Sequence, residues 1–258
     1  MGQCGRALTS EQRVPGPARI CTARGGVMLK LVTATRLSRS EFFSHSMLGK
    51  CLPRLGEYAP FALHLAHGNV RPLAEVYNQA IEASTDEDVL VFLHDDVRID
   101  DWFLTQRLSD ALKAFDVVGV AGNQRVQPRQ VAWYLQPEPE DPSEPAPWDC
   151  EHLSGAIHHG ADGEPGEMSK YGLTPWPVRL LDGVFLATPA VRLKHTGVRF
   201  DPAFAFHFYD LDFCLSAHRA GLRLGTWPIA LTHASRGGSI NTPSWRDARA
   251  LYLRKWFP

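Results

Sequence analysis

Apolar residues in this chain fall into short solid runs, separated by stretches in which they recur at helical spacing. Val89-Leu90-Val91-Phe92-Leu93 is the clearest run. It has no polar position on either face, which predicts a strand covered on both sides. Leu29 to Thr35 has the same apolar, β-branched character and predicts a first strand running out into the polar stretch Thr35–Ser40. Ser38 or Ser40 is placed to cap a helix carrying Phe42, Phe43 and Met47. Phe61–Leu65 predicts a second short strand, and Pro72 opens a helix with Leu73, Val76, Tyr77 and Ala80 along one face. Trp102–Phe115 predicts an amphipathic helix, and Val117–Ala121 a buried strand ending at Gly122. Strands alternating with helices imply an α/β fold, Rossmann-like, with a mostly parallel central sheet between two helical layers.

The pattern fails between Gln136 and Tyr171, where Pro137-Glu138-Pro139-Glu140-Asp141-Pro142 and later Gly, His and Pro residues predict no regular element. So long an irregular stretch inside a compact domain reads as a functional lid or an insertion. Order is expected again over Val178–Thr188, in a helix over Asp210–Ala220 stopped by Gly221, in strands at Leu222–Trp227 and Ile229–Thr232, and in a last helix over Trp245–Trp256. Residues 1–27 are rich in Gly, Pro and Arg and lack the apolar stretch of a secretory signal, so they read as a disordered extension ahead of one domain over 28–258.

Composition narrows the class. A chain of 258 residues, 44% hydrophobic and 21% charged, suits one sizeable core. A formal net charge of -1 gives no global field to draw nucleic acid or an anionic membrane surface. No apolar run approaches the ~20 residues that cross a bilayer, so no integral membrane segment is expected. The cysteines at 4, 21, 51, 150 and 214 show no paired or zinc-type spacing, which favours free thiols and a cytoplasmic protein.

The candidate chemistry sits where strands end. His94-Asp95-Asp96 follows the clearest strand at the carboxyl edge, where open α/β sheets collect ligands. Two adjacent carboxylates there repel unless a cation such as Mg²⁺ or Mn²⁺ joins them, and His94 as a nitrogen ligand favours Mn²⁺. A simple polar turn is the plain alternative. His233 ends another short strand and is followed by Arg236 in a glycine-rich loop, the arrangement of a metal ligand beside a phosphate-binding flap. Asp182-Gly183 follows a third strand, with the carboxylate free to accept from sugar hydroxyls and the glycine allowing close approach of a ligand. Asp210 and Asp212 open a helix about 200° apart, so one faces a site and the other caps the helix or meets its dipole.

Taken in order, Asn69 to Ile81, Val91 to Val97, Leu181-Asp182-Gly183-Val184-Phe185, Phe208 to Leu215 and Thr232-His233-Ala234-Ser235 resemble the family 2-like glycosyltransferases of the GT-A fold. The resemblance spans residues 29–256 and is to the compact bacterial group with a His-Asp-Asp form of the Asp-x-Asp motif. It implies that Thr33 and Thr35 line a nucleotide pocket and that Asn69 and Asn78 hold the donor side. It makes Asp96 the principal metal ligand, Asp95 a ribose or metal contact, His233 the completion of the metal shell, and Asp210 the catalytic base. Two positions depart from the pattern: His94 replaces the first acid of the metal motif, and Tyr209 replaces the acid before Asp210. Asp212 and His207 are the candidates to compensate.

The expectation is therefore a metal-dependent, inverting transfer of sugar from a nucleotide-sugar donor to a carbohydrate or other hydroxyl acceptor, in polysaccharide biosynthesis. A nucleotidyltransferase of similar fold and a non-catalytic nucleotide-sugar binder are the alternatives. Against the first, no glycine pattern for a triphosphate lies between Thr33 and Phe43.

Overall fold

A computed structural model describes residues 28–141, 144–161, 166–234 and 242–258. The 1–27 extension and Arg236 lie outside the described residues. The chain opens with strand β1 (Met28–Ala34), helices α1 (Arg39–His45) and α2 (Met47–Leu55), strand β2 (Phe61–Ala66) and helix α3 (Leu73–Glu82). The single helix expected to carry Phe42, Phe43 and Met47 is two. Ser38 caps α1 in a capping box with Glu41, and Ser46 breaks the run in extended conformation and caps α2. Strand β3 (Asp88–Leu93) is buried at every position, as its unbroken apolar run requires. Strand β4 (Val97–Ile99), helix α4 (Leu104–Ala114), β5 (Val117–Gly119) and β6 (Ala121–Asn123) follow.

The stretch expected to be irregular holds two paired strands, β7 (Leu153–His159) and β8 (Glu167–Gly172). Their polar residues, His158, His159, Glu167 and Lys170 among them, hid a period-two pattern that the sequence alone shows too weakly. The chain then forms β9 (Trp176–Val178), β10 (Leu180–Leu181), β11 (Phe185–Pro189), helices α5 (Ala190–Thr196) and α6 (Tyr209–Arg219), β12 (Leu224–Thr226), β13 (Leu231–His233) and helix α7 (Pro243–Trp256).

Two sheets result. The first has the order β2-β1-β3-β11-β5-β12-β9 and the second β10-β6-β7-β13-β4, with β8 added on β7. The expectation of a mostly parallel sheet is corrected. In the first sheet β1 runs parallel to β2 and β3, but β11 is antiparallel to both β3 and β5, and β9 to β12. β10 belongs to the second sheet, and the chain crosses from it into β11 of the first through Asp182-Gly183-Val184. The run Val117–Ala121 likewise divides at Val120, its halves joining different sheets. Gly155 on β7 permits that division, since it holds φ 94° and a side-chain carbon there would strike Val120 O. One continuous core of buried aliphatic and aromatic residues runs through both sheets and the helices on them.

Candidate functional site

Strand pairing brings the site together. β3 delivers His94, Asp95 and Asp96 at its carboxyl end, and β4 carries the chain straight into the second sheet. There β4 pairs antiparallel with β13 so that His233 lies opposite Val97, one residue past Asp96, and Ala234 N–H donates to Asp96 O at 3.0 Å. His233 Nε2 is 3.3 Å and His94 Nδ1 3.9 Å from Asp96 Oδ1. These three residues offer ligand atoms within 4.8 Å of one another. Asp95 is not among them. Asp96 Oδ1 is shielded from solvent, and among the described residues nothing apart from the His233 contact meets it at hydrogen-bonding geometry. Burial opposes ionisation of Asp96, but adjacent His233 and His94 outweigh it and hold its pKa below the ordinary carboxylate value. Burial also works against a charged His233, yet Asp96 raises its pKa overall, whereas burial dominates at His94 and lowers it.

His94 is oriented from behind. Its Nε2 lies 2.8 Å from Tyr209 Oη, and Tyr209 Oη donates to Gly183 O at 2.9 Å. A phenol has one proton, so towards His94 it accepts, and Nε2 must carry the hydrogen. Nδ1 is then left with its lone pair towards Asp96, the tautomer a metal ligand needs. Gly183 makes the arrangement possible: a side-chain carbon there would fall 2.3 Å from Tyr209 Oη and 2.9 Å from Asp210 Cβ. The close approach expected at this glycine is thus to the protein itself rather than to a ligand.

Two carboxylates stand on the other side of that glycine. Asp182 Oδ1 accepts from Val184 N–H at 2.7 Å and Oδ2 from Trp133 Nε1–H at 2.8 Å. Asp210 Oδ2 accepts from Gly183 N–H at 3.1 Å and Oδ1 from Leu211 N–H at 2.9 Å. Burial first, and the charge of Asp182 second, push Asp210 up to about 7. α6 begins abruptly at Phe208, a non-glycine residue with φ 64°, which aims Asp210 back at the β10–β11 turn. Asp212 does not cap this helix, nor does it compensate for the acid absent at Tyr209. It is fully buried and accepts from Lys255 Nζ and Trp256 Nε1 on α7.

The profile of the glycosyltransferase-like family matches residues 59–243. The chain belongs to this family. It is a glycosyltransferase, with a sugar donor and an acceptor. No curated protein matches it. Among solved structures it is similar to A197 from STIV, at 13% identity over 83% of this chain and 100% of that one, with a TM-score of 0.42. It is also similar to the catalytic domain of Drosophila β1,4-galactosyltransferase 7 in complex with xylobiose, at 11% identity over 86% and 79% of the two chains, TM-score 0.42. No helix among the described residues is long and apolar enough to cross a membrane.

The other residues expected in a glycosyltransferase site divide by how free their polar groups are. Thr33 is buried on β1 with Oγ1 unpaired, and Thr35 closes the carboxyl end of the same strand, its Oγ1 accepting from Leu37 N–H. Because β1 and β3 are parallel neighbours, Thr35 and His94 leave the sheet at one edge. Asn69 folds its own turn, bonding Arg71 through both ends of its amide. Asn78 clamps the backbone of Phe200 in the same way, so both groups of its amide are committed to the fold. Sequence reasoning missed Trp133, which holds Asp182, and Phe206, which stacks on His94 at a centroid distance of 6.1 Å. Neither lies in a motif; both reach the site through tertiary contacts. Phe206 also borders a cleft of about 740 Å³ with Arg36, His207 and Arg254.

Proposed function

We propose that this glycosyltransferase moves a sugar from a nucleotide-sugar donor to a hydroxyl acceptor, with inversion, using a divalent cation held by His94, Asp96 and His233. The observation that carries the proposal is the convergence of two imidazole nitrogens on Asp96 Oδ1, a solvent-shielded carboxylate oxygen, within 4.8 Å of one another. A divalent cation would satisfy that oxygen and both nitrogens together. Two nitrogens and one oxygen suit Mn²⁺ better than Mg²⁺, which prefers an oxygen shell. When bound, the cation supplies positive charge to the departing nucleoside diphosphate.

The chain's own residues do the rest. Tyr209 holds His94 in its ligating tautomer. The cleft past Phe206, with Arg36 and Arg254 on its wall, takes the nucleotide side of the donor. Asp95, outside the metal cluster, serves the ribose. Asp210 receives the acceptor's hydroxyl proton: its two backbone donors fix the carboxylate, and a pKa of about 7 leaves it a strong enough base at neutral pH. One base of this kind suffices for a single displacement, which inverts the anomeric centre.

The test is calorimetry and product analysis with Mn²⁺ and a panel of nucleotide sugars. Metal-dependent donor binding that Asp96→Ala abolishes, with release of nucleoside diphosphate, is expected. Unaffected binding in Asp96→Ala overturns the metal assignment, and release of pyrophosphate would establish nucleotidyl transfer instead.

A further inference from the structure

Four aromatic rings gather beside Asp182. Trp133 packs edge-on to Tyr134 and Tyr171, with centroids 5.5 and 4.9 Å away, and Trp148 lies 5.0 Å from Tyr134 and 6.3 Å from Tyr171, stacked on the latter within 22°. Trp133 is buried and hydrogen-bonded to Asp182. Trp148 is 53% exposed. The group also reaches the metal cluster: Tyr171 Oη is 3.5 Å from His159 Nε2, and the His159 and His233 rings are 5.9 Å apart.

The exposed indole is held rigidly. Asp149, next in the chain, is 1% exposed and accepts from Arg125 at 2.6 and 2.9 Å and from Asn123 Nδ2 at 3.0 Å. The same Asn123 Nδ2 donates to Trp133 O, and Asp149 N–H donates to Tyr134 O. A bridge between Leu135 and Trp148 completes the frame. An ion pair with a buried carboxylate thus fixes the backbone on both sides of a large apolar ring left facing water. Such an immobile ring loses little conformational freedom when a ligand covers it, which is how aromatic anchors serve binding sites.

The surroundings select the ligand. The π-face is electron-rich and attracts weakly positive C–H groups, while the Tyr134 and Tyr171 hydroxyls and the Asp182 carboxylate supply hydrogen-bonding groups around it. A pyranose ring matches both, with C–H bonds on its face and hydroxyls around its rim. An alkyl chain would leave that polar rim unsatisfied.

We propose that Trp148, backed by Tyr134 and Tyr171, is the acceptor platform, and that the acceptor is a pyranose sugar stacked on the indole with a hydroxyl directed at Asp210. This rests on the transfer reading above and adds the class of acceptor to it.

The test is saturation-transfer NMR and calorimetry on the full chain with Mn²⁺, using methyl pyranosides of glucose, galactose and mannose, with cyclohexanol and octanol as apolar controls. At least one pyranoside should bind through its ring C–H face and bind about tenfold more weakly to Trp148→Ala, a loss on the aromatic-anchor scale. Trp148→Phe should fall between. Trp102→Ala, at an exposed indole outside the cluster, should bind as the parent does. Melting temperatures check that each variant is folded. No pyranoside binding, equal binding to Trp148→Ala, or equally tight binding of cyclohexanol or octanol overturns the platform. The two readings fail separately. A parent protein that binds pyranosides through Trp148 but releases no nucleoside diphosphate from any donor sinks the transfer chemistry alone, and transfer with unchanged binding in Trp148→Ala sinks the platform alone.

Discussion

Tyr209 and His94 are the two places where this chain departs from the family pattern, and they are hydrogen-bonded to each other. A phenol that donates to Gly183 O and accepts from His94 fixes the imidazole without adding charge. Tyr209→Phe keeps the ring and its packing but strands the Nε2–H, so Mn²⁺ affinity measured by calorimetry should fall about tenfold or more, on the scale of lost outer-shell partners. Unchanged affinity would remove Tyr209 from this role. Asp210 makes a second prediction at the same scale. Its pKa is raised to about 7, so the folded protein holds a proton there that the unfolded chain releases near pH 4. This group's contribution is therefore favourable below about pH 4 and is lost as pH rises towards 7. Asp210→Asn should then stabilise the protein at pH 8 by on the order of 2 kcal/mol, less than the full shift implies because the carboxyl keeps a solvent-facing edge. The same change should cut turnover by roughly 10²–10⁴-fold, while parent activity should rise with pH to a plateau above 7. A turnover close to that of the parent in the variant would end the general-base role.

Elements explain why some of these residues were legible and others were not. His94, Asp96 and His233 stood out because each closes an apolar run, and strand ends are where α/β sheets place ligands. That they meet depends on β4 pairing with β13, a contact between residues about 130 positions apart that no local pattern encodes. β7 and β8 escaped notice for a related reason: a strand carrying histidines, serine and glycine has no clean alternation, and its burial comes from neighbours supplied by distant sequence. Asp212 shows the opposite error. Local spacing made it a helix-start carboxylate, but the structure uses it to dock α7, through Lys255 and Trp256. Lys255→Met should expose that role, since it removes the cation from a buried carboxylate; a loss of about 2 kcal/mol in urea unfolding is expected. A variant as stable as the parent would show that Trp256 alone suffices.

Across the whole molecule, the cluster ties together parts of the chain that are otherwise far apart in sequence. β3 supplies His94 and Asp96 from the first sheet, β13 supplies His233 from the second, and α6 orients His94 through Tyr209. Without a cation, Asp96 Oδ1 is shielded from water and, among the described residues, has only the His233 imidazole at hydrogen-bonding distance, 3.3 Å, to offset its charge. A ligand that relieves it binds the folded state and not the unfolded chain, in which these residues are separated. Folding and binding are then linked by mass action: metal at a hundred times its dissociation constant should add about 2.7 kcal/mol of stability. Thermal unfolding with and without Mn²⁺ measures this directly, and a nucleoside diphosphate added with the metal should raise the midpoint further. His233→Ala should abolish the Mn²⁺ shift while leaving the metal-free protein folded, because β13 is held by its backbone pairing to β4 and β7 rather than by the imidazole. A full Mn²⁺ shift in His233→Ala would mean that the cation binds elsewhere, and that the meeting of β3 with β13 serves structure alone.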